Sequence, residues 1–272
     1  MAITLHREAG LTVLRSELLA PLPHGFSTRP GGVSPAPWDS LNLGPSRGDA
    51  PENVRENYRR FCAVLGAEPE QAVLSQQTHT TNLRRVTAED AGKGLTRPRD
   101  YRDVDALMTD VPGLALTIFS ADCGVILLHD PVHAAIAAVH AGWRGCAGGI
   151  LTKTVRAMTE SCGTDPADLL AAIGPCIGPC CFETDDDVPA AMRAALGAEA
   201  EPYLRYQAPK WHVDLSGLNR QWLLRAGLLP EHIERTELCT ACRPDLFWSH
   251  RKMGERRGVQ AAMIALPGRE DA

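Results

Sequence analysis

Two apolar runs near the middle of the chain are each followed by residues that can carry chemistry. Residues 114–119 precede Asp122 and Cys123, and residues 134–139 precede His140. Apolar runs of this length, bounded by turn residues, predict buried strands. Because α/β folds usually place their chemistry where strands end, we expect Cys123 and His140 to contribute to one site.

The pattern elsewhere predicts a mixture of helices and strands. The clearest helix spans residues 51–65, since Pro51 suits the first turn, Asp49 can cap it and Gly66 can end it. Further helices are predicted at residues 148–161, 186–196 and 216–226, strands at 73–74, 83–86, 170–173 and 260–266, and a long loop at 23–48. No polar linker or internal repeat divides the chain. The sequence therefore predicts one mixed α/β (α+β) domain over residues 1–272.

Composition restricts the classes of function. A hydrophobic fraction of 44% can fill a substantial core, and a net charge of −5 with a pI near 6.0 argues against nucleic acid or an anionic membrane as the main partner. The chain has no apolar stretch of about eighteen residues, and its first residues lack the layout of a signal peptide. We therefore expect a soluble cytoplasmic protein.

Cys123 and His140 are compatible with two kinds of site, and also with a buried thiol and a hydrogen-bonded core histidine. They can form a nucleophile–base pair or ligate a metal. His79 also follows an apolar strand. Two histidines and one cysteine would fill three positions around zinc and leave the fourth for water or substrate, as in catalytic zinc sites. Spacing alone does not show whether the three side chains meet.

The other cysteines and the arginines give weaker signals. The chain has nine cysteines, an odd number without regular spacing, which disfavours a disulfide framework. Cys239 and Cys242 form a CxxC pair, but Cys180 and Cys181 have the wrong spacing for a standard zinc knuckle, so packing is favoured over a metal. Among the arginines beside glycine-rich turns, Arg144 is the best candidate to bind phosphate or a carboxylate.

Several motifs in a fixed order resemble one known family, the YfiH-type proteins, long called polyphenol oxidoreductase laccases and now described as purine nucleoside phosphorylases. The resemblance covers about residues 20–266. The strongest matching stretches are residues 139–145, which include Trp143 and Arg144, and residues 173–177. The others are residues 25–29, 31–34, 41–44, 48–49, 56–57, 77–79, 105–109, 121–123, 214–215, 239–240 and 247–251.

The resemblance implies a single domain of two mixed β-sheets flanked by helices, and a zinc site formed by His79, Cys123 and His140. It implies phosphorolysis of adenosine, inosine, guanosine or methylthioadenosine, and hydrolytic deamination of adenosine. The implied partners are therefore purine nucleosides and phosphate. Copper and phenol oxidation have also been attached to the family, but one cysteine and two histidines cannot build a multicopper centre.

The substrate contacts that we predict are Asn42, Arg59 and Arg144. The family usually has arginine after the asparagine at position 57, whereas this chain has Tyr58 and then Arg59. Two further departures are Arg257-Gly258 in place of a Thr-Gly-Arg motif, and Gly124 after the central cysteine in place of an early proline. These differences affect the substrate contacts more than the metal ligands.

Two other functions remain open at this stage. One is a metal-free hydrolase in which Cys123 is the nucleophile and His140 its base. The other is a non-catalytic binding or editing factor acting on cell-wall precursors. His79 distinguishes the metal-free hydrolase from the zinc enzyme. A catalytic Cys–His pair has little need of His79, whereas the zinc site loses a ligand without it.

Overall fold

The computed structural model describes residues 2–268, over which the chain forms the following strands and α-helices. The strands are β1 (Ile3–Glu8), β2 (Leu11–Ser16), β3 (His24–Ser27), β4 (Ala72–Leu74), β5 (Leu83–Arg85), β6 (Ala106–Thr109), β7 (Ala115–Ser120), β8 (Gly124–Asp130), β9 (Ala135–Ala141), β10 (Leu170–Ile173), β11 (Glu183–Thr184), β12 (Leu204–Gln207), β13 (Lys210–Val213), β14 (Ile233–Arg235) and β15 (Gln260–Ala265). The helices are α1 (Pro51–Leu65), α2 (Trp143–Ala147), α3 (Ile150–Cys162), α4 (Asp187–Leu196), α5 (Leu215–Arg225) and α6 (His250–Met253).

The strands form two large mixed sheets and one small sheet. The first has the order β1-β2-β3-β15-β7-β4, the second β14-β10-β8-β9-β6-β5, and the third β11-β13-β12. In each large sheet most pairs are antiparallel, but β4–β7, β5–β6 and β10–β14 are parallel. The expected fold of two mixed sheets flanked by helices is confirmed, and the small third sheet was not foreseen.

The two large sheets pack face to face, and helices cover their outer faces. Leu116 and Ile118 of the first sheet share a buried cluster with Leu127 and Ile136 of the second. On the far side of the second sheet, Ile126 and Leu128 pack against α3 and α5, whereas α1 packs on the first sheet. Strands β8 and β9 are therefore buried on both faces, which explains why they are apolar without polar alternation.

Local signals placed several elements well. Helix α1 has the predicted bounds and ends at Gly66, whose φ of 70° is the left-handed conformation that glycine adopts easily. Strand β10 also matches its prediction. Asp49 does not occupy the cap position of α1, which is Ala50, but its carboxylate accepts a hydrogen bond from the Ala50 amide.

Other boundaries were wrong. His140 lies inside β9 rather than beyond its end, because the antiparallel pairing with β8 continues to Ala141. The segment 23–48 is not all loop, since it begins with β3. Within residues 2–268, no helix is both long enough and apolar enough to cross a membrane.

Candidate metal centre

The side chains of His79, Cys123 and His140 meet at one end of the two large sheets. Their potential ligand atoms all lie within 4.8 Å of one another. The Cys123 sulfur is 3.7 Å from Nε2 of His79, and the two imidazole rings meet edge to face with centroids 5.1 Å apart. His79 follows β4, Cys123 lies in the turn between β7 and β8, and His140 is near the end of β9. The site thus combines residues held by both sheets.

The backbone around the site has two residues with positive φ and one position that requires glycine. His79 and Asp122 both have positive φ values, 65° and 93°, which are uncommon for residues with a side chain. A Cβ atom at Gly142 would lie 2.8 Å from the Cys123 sulfur, so the turn beyond β9 requires glycine there. The Asp122 carboxylate accepts hydrogen bonds from Thr240 Oγ1 at 2.6 Å and the Arg251 amide at 2.7 Å, which offset the cost of its burial.

Asp105 organises the site, although sequence reasoning gave it no role of its own. This carboxylate is fully buried, and its Oδ1 accepts a hydrogen bond from Nδ1 of His140 at 2.8 Å. The same oxygen accepts from the His79 amide at 3.0 Å, and Oδ2 accepts from the amides of Thr78 and Thr80. A signal existed, since Asp105 is a charged residue placed directly before a buried strand. Its role follows from the pairing of β6 with β9, which brings it beside His140.

The electrostatics favour a thiolate at Cys123. Burial opposes ionisation of the thiol, but His140 and His79 outweigh it and lower the pKa of Cys123 to about 6. Burial likewise lowers the pKa of His140, but Cys123 and Asp105 outweigh it and raise that pKa to about 9. The pKa of Asp105 is lowered to about 2, because its hydrogen bonds and the charge of His140 overcome its burial. Thiolate is the form of cysteine that ligates metals and attacks electrophiles.

Two cavities meet at this cluster. The larger, of ≈ 440 Å³, has an apolar wall formed by Trp143, Ile177, Phe182 and Leu215. The smaller, of ≈ 270 Å³, is lined by polar residues such as Ser75 and Gln77 together with Phe119 and Val259. The residues that line both are Arg47, His79, Ala121, Cys123 and Arg257. The cluster is therefore accessible from two sides.

Arg257 is a buried cation with spare hydrogen-bonding capacity. Only 7% of this residue is exposed, and its Nε has no hydrogen-bond partner among the described residues. Burial lowers its pKa from the usual value for arginine. Nε of Arg47 is similarly unpaired, although the same guanidinium donates to the Glu255 carbonyl. Arg257 and Arg47 both line the two cavities, and guanidinium groups in such a position suit an anion.

The predicted substrate contacts occupy three different environments. Arg144 lines the larger cavity, and its guanidinium lies 4.2 Å from the centroid of the Trp143 ring. Asn42 is fully buried and outside both linings; it donates to Asp49 and accepts from the Gly44 amide beside the smaller cavity. Arg59 is exposed on α1 and paired with Glu56 at 2.7 Å. Only Arg144 reaches the cavity surface directly.

The donor set of the cluster fits a transition metal. A thiolate and two imidazoles are ligands that zinc and copper accept. A carboxylate that holds the far nitrogen of a ligating histidine, as Asp105 holds His140, is a common second partner in such sites. A blue-copper centre also uses two histidines and a cysteine, so the donors alone do not choose the metal. Within residues 2–268, the other group of potential ligands consists of four cysteines and offers no histidines for a multicopper cluster.

Comparison with known proteins gives a consistent result. The chain is 37% identical over 252 residues to "Purine nucleoside phosphorylase YlmD" of Geobacillus stearothermophilus, covering 91% of this chain and 90% of that protein. It is 36% identical over 240 residues to "Purine nucleoside phosphorylase YfiH" of Escherichia coli, covering 88% of this chain and 92% of that protein. The crystal structure of Bacillus licheniformis hypothetical protein YfiH matches with a TM-score of 0.92 at 32% identity, over 96% of this chain and 98% of that one.

A further crystal structure, YlmD from G. stearothermophilus, matches with a TM-score of 0.91 at 35% identity, over 97% of this chain and 99% of that one. Residues 23–267 match the family model described as multi-copper polyphenol oxidoreductase laccase, and thus include all three members of the cluster. The chain therefore belongs to this family, of which the YfiH and YlmD proteins are relatives.

Proposed function

We propose that the protein is a zinc-dependent purine nucleoside phosphorylase that also deaminates adenosine. The proposed substrates are adenosine, inosine, guanosine and methylthioadenosine, with phosphate as the second reactant. One observation carries the proposal: Cys123 and His79 lie where a cavity with aromatic residues in its wall meets a second cavity, and Arg47 and Arg257 line both. The YlmD and YfiH relatives are named purine nucleoside phosphorylases, which supports the same reaction class.

The two cavities suit the two parts of the reaction. Trp143 and Phe182 offer flat apolar surfaces for a purine, and Arg144 lies at the same wall. Arg257 and Arg47, which line both cavities, would bind phosphate through charge-assisted hydrogen bonds. In phosphorolysis a phosphate oxygen bonds to the sugar C1′, the bond from C1′ to the purine nitrogen breaks, and the electron pair leaves with the base. Bound arginines would hold the phosphate in place for this displacement.

His79, Cys123 and His140 would hold the zinc ion. When bound, zinc supplies a Lewis acid and lowers the pKa of a coordinated water toward neutrality, which deamination requires. The chain's own contribution is to fix the ligands. Asp105 keeps the proton of His140 on Nδ1, which leaves Nε2 free to ligate, and it also holds the backbone of the His79 loop.

The proposal is tested by incubating the purified protein with adenosine, with and without phosphate, and separating the products by chromatography. We expect adenine only with phosphate, and inosine under both conditions. Cys123→Ala should abolish both products while the protein stays folded. If no adenine, inosine or hypoxanthine exceeds that of the variant, the enzymatic proposal fails and a non-catalytic role, such as binding cell-wall precursors, gains support.

A second candidate, the metal-free hydrolase, is favoured by one feature of the same site. Cys123, His140 and Asp105 form a chain of thiolate, imidazole and carboxylate, as in cysteine hydrolases. The discriminating variant is His79→Ala. Under the zinc proposal it loses the zinc held by His79, Cys123 and His140 together with the activity, whereas a metal-free hydrolase would keep its activity and its metal content unchanged.

A further inference from the structure

Four cysteines outside the proposed active site form a second cluster. The sulfur atoms of Cys180, Cys181, Cys239 and Cys242 all lie within 4.8 Å of one another. Cys242 is 3.4 Å from both Cys180 and Cys181. Four thiolates around one zinc ion, each about 2.3 Å from it, are separated by about 3.8 Å along the edges of a tetrahedron. The two separations of 3.4 Å are close to that edge length, and the bound of 4.8 Å on the others is compatible with it.

The topology of the second sheet creates this cluster. Strands β10 and β14 run parallel, and the two segments that follow them continue side by side, with a bridge between Cys176 and Cys239. The Thr240 amide donates to the Cys176 carbonyl at 3.1 Å, and the Gly178 amide donates to the Cys239 sulfur at 3.2 Å. The backbone thus holds the two cysteine pairs together, and an amide already faces one sulfur as if to stabilise a thiolate.

Packing does not account for the cluster. Cys180 and Cys242 are exposed and Cys181 is half-buried, so only Cys239 behaves as a core side chain. The spacing that looked wrong for a zinc knuckle is accommodated because the CxxC pair supplies one half and the adjacent pair supplies the other. An exposed edge also gives a metal ion a route into the site.

We propose that Cys180, Cys181, Cys239 and Cys242 bind a structural zinc ion that clamps the loop after β10 to the loop after β14. Each thiol gives up its proton when it ligates, and all four positions around the metal are taken by sulfur. Such a closed site has no open position for substrate. This second zinc is independent of the one proposed at His79, Cys123 and His140.

The clamp would support the wall of the larger cavity. Ile177 and Phe182, which flank Cys180 and Cys181 in the first loop, both line that cavity. In the second loop, Thr240 lies between Cys239 and Cys242 and donates to the carboxylate of Asp122, the neighbour of Cys123. Arg251, also in the wall, donates to the Cys181 carbonyl at 2.9 Å. Fixing the two loops therefore holds Ile177 and Phe182 in the cavity wall and supports their neighbours Asp122 and Arg251.

The test uses a background that lacks the other proposed site, His79→Ala with Cys123→Ala, purified without chelator and with a reductant that is removed before analysis. Zinc, iron and copper are measured by mass spectrometry, and free thiols are counted after denaturation. We expect one equivalent of zinc per chain in this background, and none after Cys239→Ser with Cys242→Ser is added. Cys162→Ser is the matched control, because Cys162 is a half-buried thiol outside the cluster, and it should keep the zinc.

A milder variant tests the proposal even if the variant that lacks both Cys239 and Cys242 fails to fold. Cys180→Ser removes an exposed sulfur, and circular dichroism should show an unchanged fold. After cobalt replaces zinc in the same background, the sulfur-to-cobalt absorption should lose about a quarter of its intensity in Cys180→Ser, since one of four thiolates is gone. A background protein without zinc, whether its thiols are all free or two are joined as a disulfide, would overturn the proposal. Zinc that survives removal of both Cys239 and Cys242 would also overturn it.

Discussion

The carboxylate of Asp105 lies 2.8 Å from Nδ1 of His140 and, through its second oxygen, holds the amides of Thr78 and Thr80 on either side of His79. One buried side chain therefore sets the position of two of the three candidate ligands. Because Asp105 precedes β6 and His140 is the next-to-last residue of β9, the register of two antiparallel strands controls the geometry of the candidate metal centre.

Replacing Asp105 by asparagine should weaken metal binding. The amide cannot accept all the hydrogen bonds that the carboxylate accepts, and it no longer fixes the proton on His140. We expect zinc affinity to fall by about 10- to 100-fold, as for other second partners of ligating histidines. Competition with a chromophoric chelator measures the zinc affinity. Asp130→Asn is the matched control, since Asp130 is an equally buried carboxylate that binds His133 at the far end of β8. Equal losses of zinc affinity in both variants would contradict the role assigned to Asp105.

In the metal-free protein, Cys123 should react with alkylating agents at unusually low pH. Its thiol pKa is lowered to about 6, chiefly because His140 and His79 outweigh its burial, so the thiolate is present above that pH and lost below it. The rate of carboxamidomethylation, followed by peptide mass spectrometry, should reach half its maximum near pH 6. His140→Asn should move this midpoint upward. Cys62 and Cys146, whose thiol pKa values burial raises to about 12, serve as unreactive internal controls. A midpoint at the ordinary value near 8.5 would exclude the thiolate.

Arg257→Met should impair phosphorolysis more than deamination. The variant keeps much of the side-chain volume but removes the buried charge beside Cys123. Losing a charge-assisted hydrogen bond of about 1.5–3 kcal/mol should reduce kcat/KM for phosphate by about 10- to 100-fold. Initial rates at varied phosphate measure the effect, with Arg156→Met as a control because Arg156 is an exposed residue paired with Glu160 on α3. An unchanged phosphate dependence would show that Arg257 does not bind the anion, and Arg47, which also lines both cavities, would then be the next residue to test.

Asp90→Asn should destabilise the protein in a pH-dependent way. The Asp90 carboxylate is 4% exposed and contacts Arg84 and Lys93, each at 2.8 Å. Burial opposes its ionisation, but Lys93, the Thr87 amide and Arg84 lower its pKa to about 2. A depressed pKa stabilises the fold above the unfolded value of about 3.9 and loses that effect as pH falls toward 2. We expect a cost of about 1–2 kcal/mol at pH 7 that shrinks below pH 4.

Urea unfolding of wild type and Asp90→Asn at several pH values tests this prediction. Asp185→Asn is a suitable control, because Asp185 pairs with Lys210 on the surface with 78% of its side chain exposed. Exposed pairs contribute little to stability. A cost that stays constant between pH 7 and pH 3 would show that the ionisation of Asp90 is not responsible.

Much of this architecture could be predicted from local patterns. The helix at 51–65 was placed to the residue because Pro51 and Gly66 mark its ends, and β7 and β9 were found because they are continuous apolar runs. The first hairpin, β1 with β2, was missed, since β1 is mostly exposed and carries charged residues. Patterns of burial cannot find a strand that is hardly buried.

The candidate site likewise contains residues that the sequence predicts and residues that it does not. His79, Cys123 and His140 were predicted because each follows or ends an apolar strand, and the structure brings them together. Arg257 was one of several candidate arginines but could not be singled out, and Arg47 was not among them, because their position at the cavities depends on contacts between segments 210 residues apart. The four-cysteine cluster was underestimated because the parallel pairing of β10 and β14 is not visible in the spacing of the cysteines.

The two cavities that meet at Cys123 have a consequence for the order of events in catalysis. Under the proposed function, a nucleoside and a phosphate would occupy separate cavities at the same time, so neither would have to leave before the other enters. Steady-state kinetics should therefore show a ternary complex, with reciprocal plots that intersect. Parallel plots would instead indicate a covalent intermediate released in two half-reactions.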